Sequence, residues 1–158
     1  MLNLKDPSLL KQAIFVNGAW SVPEGCGWIE VTNPSTGERV GRVPKAGRAE
    51  TVEAIEGAER AFRPWAARPA GERAKVVKRW YDLIVEHVDD LALILTAEQG
   101  KPLAEARGEI LYGAAFFEWF AEEAKRVYGE VLPAPQQGQR MLVLRQPIGV
   151  CAAITPWN

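Results

Sequence analysis

The first third of the sequence consists of short apolar or alternating segments separated by turn residues. Alternation is typical of a half-buried strand, and Asn17-Gly18 between two short apolar runs is a strong signal for a β-hairpin. Composition predicts a turn over residues 33–37 and a strand end at Pro44. The pattern therefore predicts a small antiparallel β unit after a lead-in with one helical turn near residues 7–12. Its expected strands cover residues 14–16, 19–21, 28–32 and 38–43.

Helical periodicity replaces this alternation after residue 48. Apolar residues recur every three or four positions across residues 49–63, which predicts an amphipathic helix. Gly47 or Thr51 could serve as its N-cap, and Pro64 is expected to close it.

A second helix is predicted to begin near Pro69, since proline is favoured in a first helical turn. The pattern continues through residues 89–99 to Gly100, a suitable residue for the C′ position. The only histidine, His87, falls within it and is interpreted as structural or solvated. The predicted buried stripe is Val76, Val77, Trp80, Ile84 and Val88.

The longest helical pattern opens at Pro102 and runs over residues 103–127 towards Gly129. Phe116, Trp119 and Phe120 widen its apolar arc beyond one face. One interpretation is a helix packed on two sides within one protein. The other is a helix that also lines a ligand tunnel or a subunit contact.

The last segments return to strand patterns. Residues 140–146 alternate, and residues 148–154 form an all-apolar run typical of a strand buried in a parallel sheet. Such a strand would place Asn158 at the carboxyl edge of the sheet, where ligands bind. Its side-chain amide could donate a hydrogen bond to a developing negative charge, or Asn158 could be an ordinary turn residue. No parallel partner for this strand lies within the sequence.

Composition and charge exclude several classes of protein. The 158 residues are 47% hydrophobic and 25% charged, with 19 basic and 20 acidic residues well mixed, as in an ordinary soluble domain. No basic stripe indicates nucleic-acid binding, and no apolar run approaches the ~20 residues of a membrane span. Cys26, Cys151 and one histidine give neither a disulfide framework nor a metal-ligand spacing. Without a signal-like apolar core, a cytoplasmic location is expected.

Several motifs, in order along the chain, resemble the aldehyde dehydrogenase superfamily. These motifs are Val-Asn-Gly-Ala-Trp at 16–20, Thr-Asn-Pro-Ser-Thr-Gly at 32–37, Glu-Gln-Gly-Lys-Pro at 98–102, Pro-Ile-Gly-Val at 147–150 and Thr-Pro-Trp-Asn at 155–158. Within the superfamily, the sequences at 103–106, 108–110 and 117–123 are most similar to those of succinate-semialdehyde dehydrogenases.

The resemblance implies an NAD- or NADP-dependent oxidation of a small aldehyde, with succinate semialdehyde as the expected substrate and succinate as the product. The reaction would pass through a cysteine thioester. Asn158 inherits the role of amide donor to the oxyanion, and Ile154, Thr155, Pro156 and Trp157 inherit cofactor contacts. The complete enzyme would be a homo-oligomer, either a dimer or a tetramer.

The resemblance also implies a domain organisation. The family fold is α/β, and this chain would be its α+β amino-terminal part. Residues 1–139 would belong to the cofactor-binding domain, 140–147 to an oligomerisation arm, and 148–158 to the first strand of a Rossmann-type dinucleotide-binding sheet. The long helix at 103–127 would lie near the substrate tunnel.

The catalytic cysteine and glutamate are expected outside these residues. Cys151 would be buried in the final strand and inert. The chain alone is therefore expected to be inactive and to expose a large apolar patch through which it associates. The alternative is a truncated, non-catalytic relative that acts as a binding or assembly module.

Overall fold

The computed structural model describes residues 2–155. Over that range the fold is α+β, as predicted, with four α-helices and three separate two-stranded antiparallel sheets. After a 3-10 turn at Pro7–Leu9, the elements are β1 (Ile14–Val16), β2 (Ala19–Ser21), β3 (Gly27–Thr32), β4 (Arg39–Lys45), α1 (Arg48–Ala66), α2 (Ala70–Glu86), α3 (Val88–Gln99), α4 (Leu103–Glu123), β5 (Glu130–Leu132) and β6 (Met141–Val143).

The predicted hairpin is confirmed. Asn17 and Gly18 both have positive φ, 52° and 80°, which lets a two-residue loop join β1 to β2. Phe15 pairs with Trp20 across the strands, and their ring centroids lie 5.1 Å apart. The loop residues therefore determine the register of the strands on either side.

The second hairpin, β3 and β4, corrects the expected strand end at Pro44. Pro44 lies inside β4 and pairs with Trp28. A sheet of two strands has an open edge on each side, so a proline whose missing N–H faces outward removes no ladder bond.

Helix α1 contains a similar correction. It begins after Gly47, whose N–H donates to the Glu50 carboxylate at 2.6 Å, and it passes through Pro64 to end at Ala66. Pro64 has no N–H to donate to the Arg60 carbonyl, so one helical bond is lost, but the Ala67 N–H still donates to the Arg63 carbonyl at 3.0 Å.

The centre of the molecule is formed by α2, α3 and α4, with α4 packed against both of the others. Small residues bring these helices together, and the buried apolar residues are Ala74, Val88, Ala92, Ala97, Ala106, Ala114 and Ala121. The predicted stripe of α2 is therefore partly wrong, because Val76 and Trp80 are 47% and 57% exposed. The helical pattern also breaks at His87, which separates α2 from α3.

Helix α4 ends at Glu123, short of the predicted residue 127. The chain then forms β5, which the pattern did not predict, and β5 pairs with β6, a shorter strand than expected. All the residues of its two strands are exposed.

The amino-terminal segment is attached to the helices by one buried carboxylate. Asp90, in the first turn of α3, is only 3% exposed and accepts hydrogen bonds from the backbone N–H groups of Lys5 and Asp6 at 2.9 and 2.8 Å. Its neighbour Asp89 is exposed and forms ion pairs with Lys5 and with Arg107 of α4. None of the described helices is long and apolar enough to cross a membrane.

Candidate functional site

The segment predicted to hold the site follows β6 and is exposed. Residues 148–155 form no strand, and the side chains of Ile148 and Ile154 are almost fully exposed. A parallel strand needs neighbours joined to it by crossovers, and the described residues supply none. The assignment of this segment to a dinucleotide-binding sheet therefore stays a prediction.

The structure describes two of the five predicted site residues. Ile154 and Thr155 lie in the exposed segment after Cys151. Pro156, Trp157 and the expected oxyanion donor Asn158 lie outside the described residues.

One of the two cysteines occupies a different setting from the one predicted. Cys151 is exposed, with its Sγ 3.6 Å from the Gly149 carbonyl oxygen, so the prediction of a buried thiol is wrong. Cys26 is half-buried in the loop before β3. Among residues 2–155 no group of three histidine, cysteine, aspartate or glutamate side chains could hold a metal ion.

The widened apolar arc of α4 forms an exposed aromatic face. Phe117 contacts Trp80 of α2 with ring centroids 4.5 Å apart, and Tyr112 meets Phe116 edge-on at 5.1 Å. Phe120 contributes to two adjoining grooves along this face, of about 280 and 290 Å³. An exposed aromatic surface of this kind is typical of a ligand or protein contact. It confirms the expected exposure of apolar surface, and whether the chain associates through it stays a prediction.

Two of the sequence motifs meet in space. Gly100 ends α3 in the left-handed conformation, with φ of 84°, and lies against Pro34 from the turn between β3 and β4. A Cβ at Gly100 would lie 2.9 Å from Pro34 Cγ, so this position accepts no side chain without movement. The motifs at 32–37 and 98–102 therefore join a hairpin to the helices, which is a structural role.

The same junction perturbs one carboxyl group. Burial raises the pKa of Glu98 above its usual 4.5. Glu98 lines a groove of about 420 Å³ between β3 and α3, together with Val31 and Leu95. Sequence reasoning missed this carboxyl group, although it lies in a quoted motif, because its burial depends on the packing of the hairpin. Nearby, Lys101 forms a partly buried ion pair with Glu109 of α4.

The first motif also has a structural contact. The Asn17 side chain donates to Glu53 and accepts from Arg60, both on α1, at 2.9 and 3.0 Å. Gly57 lies between them, and a Cβ there would collide with the Asn17 Oδ1 atom. The turn of the first hairpin is thus attached to α1 through its asparagine.

The aldehyde dehydrogenase family model matches residues 20–158. Because the match covers most of the sequence, the chain belongs to the aldehyde dehydrogenase family. This confirms the resemblance inferred from the motifs.

Over the aligned residues, this chain is more than 50% identical to three curated relatives. It is 54% identical to a 3-sulfolactaldehyde dehydrogenase of Pseudomonas putida, which it matches over 100% of its own length and 32% of the relative. It is 55% identical to a glutarate-semialdehyde dehydrogenase of Pseudomonas aeruginosa, over 99% of this chain and 32% of that protein. It is 52% identical to the succinate-semialdehyde dehydrogenase [NADP(+)] GabD of Escherichia coli K12, over 99% of this chain and 33% of that protein. The chain thus spans about a third of the length of these relatives.

Solved structures agree with these relationships. The succinate-semialdehyde dehydrogenase of Burkholderia pseudomallei superposes with a TM-score of 0.92 at 53% identity, over 94% of this chain and 31% of that one. PnpE in complex with nicotinamide adenine dinucleotide superposes with a TM-score of 0.82 at 30% identity, over 87% and 28%.

Proposed function

We propose that this chain is the amino-terminal part of an NAD(P)-dependent aldehyde dehydrogenase that oxidises a short aldehyde carrying a second, anionic group. The observation that carries the proposal is the identity of more than 50% to three relatives named for such substrates. Succinate and glutarate semialdehydes end in a carboxylate, and 3-sulfolactaldehyde carries a sulfonate. Succinate semialdehyde is the first candidate, with succinate as its product.

The cofactor is proposed to be NAD or NADP. Ile154 and Thr155 are proposed to contact it, because both are exposed and they lead into the Pro-Trp-Asn motif. Pro156 and Trp157 are proposed to extend this contact. When bound, the nicotinamide supplies the hydride acceptor for the oxidation.

Asn158 is proposed to hold the negative charge that develops on the aldehyde oxygen. A cysteine thiolate that attacks the carbonyl carbon leaves this oxygen negatively charged, and a side-chain amide can donate a hydrogen bond to it. The attacking cysteine and the glutamate that activates water are proposed to lie outside the 158 residues. Neither Cys26 nor Cys151 is proposed as the nucleophile.

The remaining surfaces are assigned by the same proposal. Residues 1–139 form the start of the cofactor-binding domain, and the aromatic face of α4 lies beside the substrate tunnel. Residues 140–147 form an arm for subunit pairing in a dimer or tetramer. Its support is the exposed β5–β6 hairpin, whose open edges can pair with another strand. A cytoplasmic location stays a prediction.

The first experiment combines an intact-mass measurement on the native protein with an activity assay. Formation of NADH and NADPH should be followed with succinate semialdehyde, glutarate semialdehyde and butanal, which has no anionic group. We expect the native protein to prefer the two anionic aldehydes and the isolated 158-residue chain to be inactive. Equal turnover of butanal would contradict the substrate class.

The two remaining results of this experiment distinguish the alternatives. Turnover by the isolated chain would contradict the proposal that the nucleophile lies outside it. A native mass equal to the 158-residue chain, with no turnover, would instead favour the non-catalytic binding or assembly module.

The role of Asn158 is tested by Asn158→Ala in the active native protein. Loss of one oxyanion donor usually lowers kcat by ~10²–10³. Asn3→Ala is the matched control, since Asn3 is an exposed residue of the amino-terminal segment. An unchanged kcat in Asn158→Ala would remove the assigned role.

A further inference from the structure

A cavity of about 460 Å³ lies where four parts of the chain converge. Its walls come from the end of α1, the start of α2, the residues that follow α4, and the segment 145–147 after β6. The volume falls within the ~300–1,000 Å³ of small-molecule pockets, and it is too small for a folded partner.

The charged side chains of this cavity are all basic. Arg73, Lys125 and Arg145 reach it from three different parts of the chain, and no described aspartate or glutamate lines it. A cleft lined by one sign of charge raises the local concentration of the opposite ion. The lining therefore favours an anion.

The contacts of these basic residues are compatible with a ligand. Arg73 donates to the carbonyl oxygens of Ala66 and Arg68, which are neutral and do not cancel its charge. Lys125 pairs with Glu122, and Arg145 pairs with Glu130 at 3.4 Å, but neither carboxylate lines the cavity. Such exposed ion pairs are weak, so both cations can reorient towards an anion.

The rest of the lining is largely apolar. Phe62 and Trp65 of α1 form one wall, and Val127 and Pro147 contribute from other parts of the chain. An inorganic ion would leave these side chains without a partner, whereas an acyl or aromatic body would bury against them.

We propose that this cavity binds a small organic monoanion with an apolar body, whose carboxylate or sulfonate faces Arg73, Lys125 and Arg145 and whose body contacts Phe62 and Trp65. This binding requires neither an aldehyde nor a nicotinamide cofactor. It is thus independent of the oxidation proposed above.

Isothermal titration calorimetry of the native protein, without aldehyde or cofactor, tests the proposal with three probes. Octanoate has both features, octan-1-ol lacks the charge, and inorganic phosphate lacks the apolar body. We expect octanoate to bind at one site and more tightly than either of the other probes. Absence of octanoate binding, or equal binding of octan-1-ol or phosphate, would overturn the proposal.

Variants then locate the site. Arg145→Gln and Lys125→Gln should each weaken octanoate binding about tenfold, the usual effect of losing a charge-assisted hydrogen bond. Arg48→Gln, at an exposed residue outside the cavity, is the control and should bind as the parent does. Arg145→Lys keeps the charge and should restore most of the affinity. If the two cavity variants fold and bind octanoate as well as Arg48→Gln does, the site lies elsewhere and the proposal fails.

Discussion

Replacing Asp90 with alanine should release the amino-terminal segment from α3. The carboxylate is 3% exposed and accepts two backbone N–H groups, from Lys5 at 2.9 Å and Asp6 at 2.8 Å. A hydrogen bond to a charged acceptor contributes roughly 1.5–3 kcal/mol. Lys5 is exposed, so water can partly replace the carboxylate at the freed N–H groups. We therefore expect a loss of about 2–3 kcal/mol in the free energy of unfolding.

Asp89→Ala is a matched control for this substitution. Asp89 lies in the same first turn of α3, so both variants lose a similar interaction with the helix dipole. Its partners are the exposed side chains of Lys5 and Arg107, and such surface ion pairs contribute little to stability. The difference between the two variants therefore isolates the buried hydrogen bonds to the backbone.

Urea denaturation and amide hydrogen exchange measure the two consequences. In Asp90→Ala the denaturation midpoint should fall well below that of Asp89→Ala. The amides of Lys5 and Asp6 should exchange faster in Asp90→Ala alone. Equal midpoints in the two variants, with unchanged exchange at these amides, would refute the argument.

Three further substitutions, two of them paired with a glycine control, test the contacts that join the hairpins to the helices. Gly57→Ala should destabilise the protein and free Asn17 from Arg60, because the new methyl group collides with the Asn17 side chain. The control is Gly71→Ala, where a Cβ meets nothing within 4 Å, and it should stabilise the protein by about 0.5–1 kcal/mol. Equal thermal unfolding temperatures for Gly57→Ala and Gly71→Ala would contradict the predicted collision. Gly100→Ala should destabilise the protein more than its control, Gly138→Ala. Both glycines have positive φ, but only Gly100 has Pro34 against it. Equal urea midpoints would show that the Pro34 contact is unimportant. Glu98→Gln should remove a pH dependence. Burial raises the pKa of Glu98 in the folded state above the 4.5 expected in the unfolded state. Between these two pKa values the folded state binds more protons than the unfolded state, so the stability of the parent falls as pH rises. Urea midpoints measured across this window should decline in the parent and stay flatter in Glu98→Gln, and parallel curves would contradict the role of burial.

Local signals in the sequence predicted the elements whose cause is local. The Asn17-Gly18 hairpin and the end of α3 at Gly100 depend on residues that tolerate positive φ, so a few neighbouring positions suffice. Pro44 and Pro64 show the limit of the same reasoning. Proline removes one backbone donor, and whether the element continues past it depends on sheet edges and on packing that sequence does not reveal.

The candidate site was predicted from resemblance more than from pattern. The motifs identified the family, and the family match confirms that step. The roles of Asn158 and of residues 154–157 stay predictions. Among the described residues, Gly100 of the 98–102 motif packs against Pro34 of the second hairpin. This structural role depends on a contact between distant parts of the chain, which the sequence does not reveal.

The sequence by itself determined the α+β class, the order of most of the helices and strands, and family membership, because these depend on periodicity, turn residues and motif order. Only the tertiary structure decided which apolar residues are buried. Small alanines bring α2, α3 and α4 together, and this packing leaves Trp80 and the aromatic face of α4 exposed. The same holds for residues 148–155, whose apolar pattern suits a strand but which form none without neighbouring strands. A residue's hydrophobicity determines its tendency to be buried, and the packing of other elements around it decides whether burial occurs.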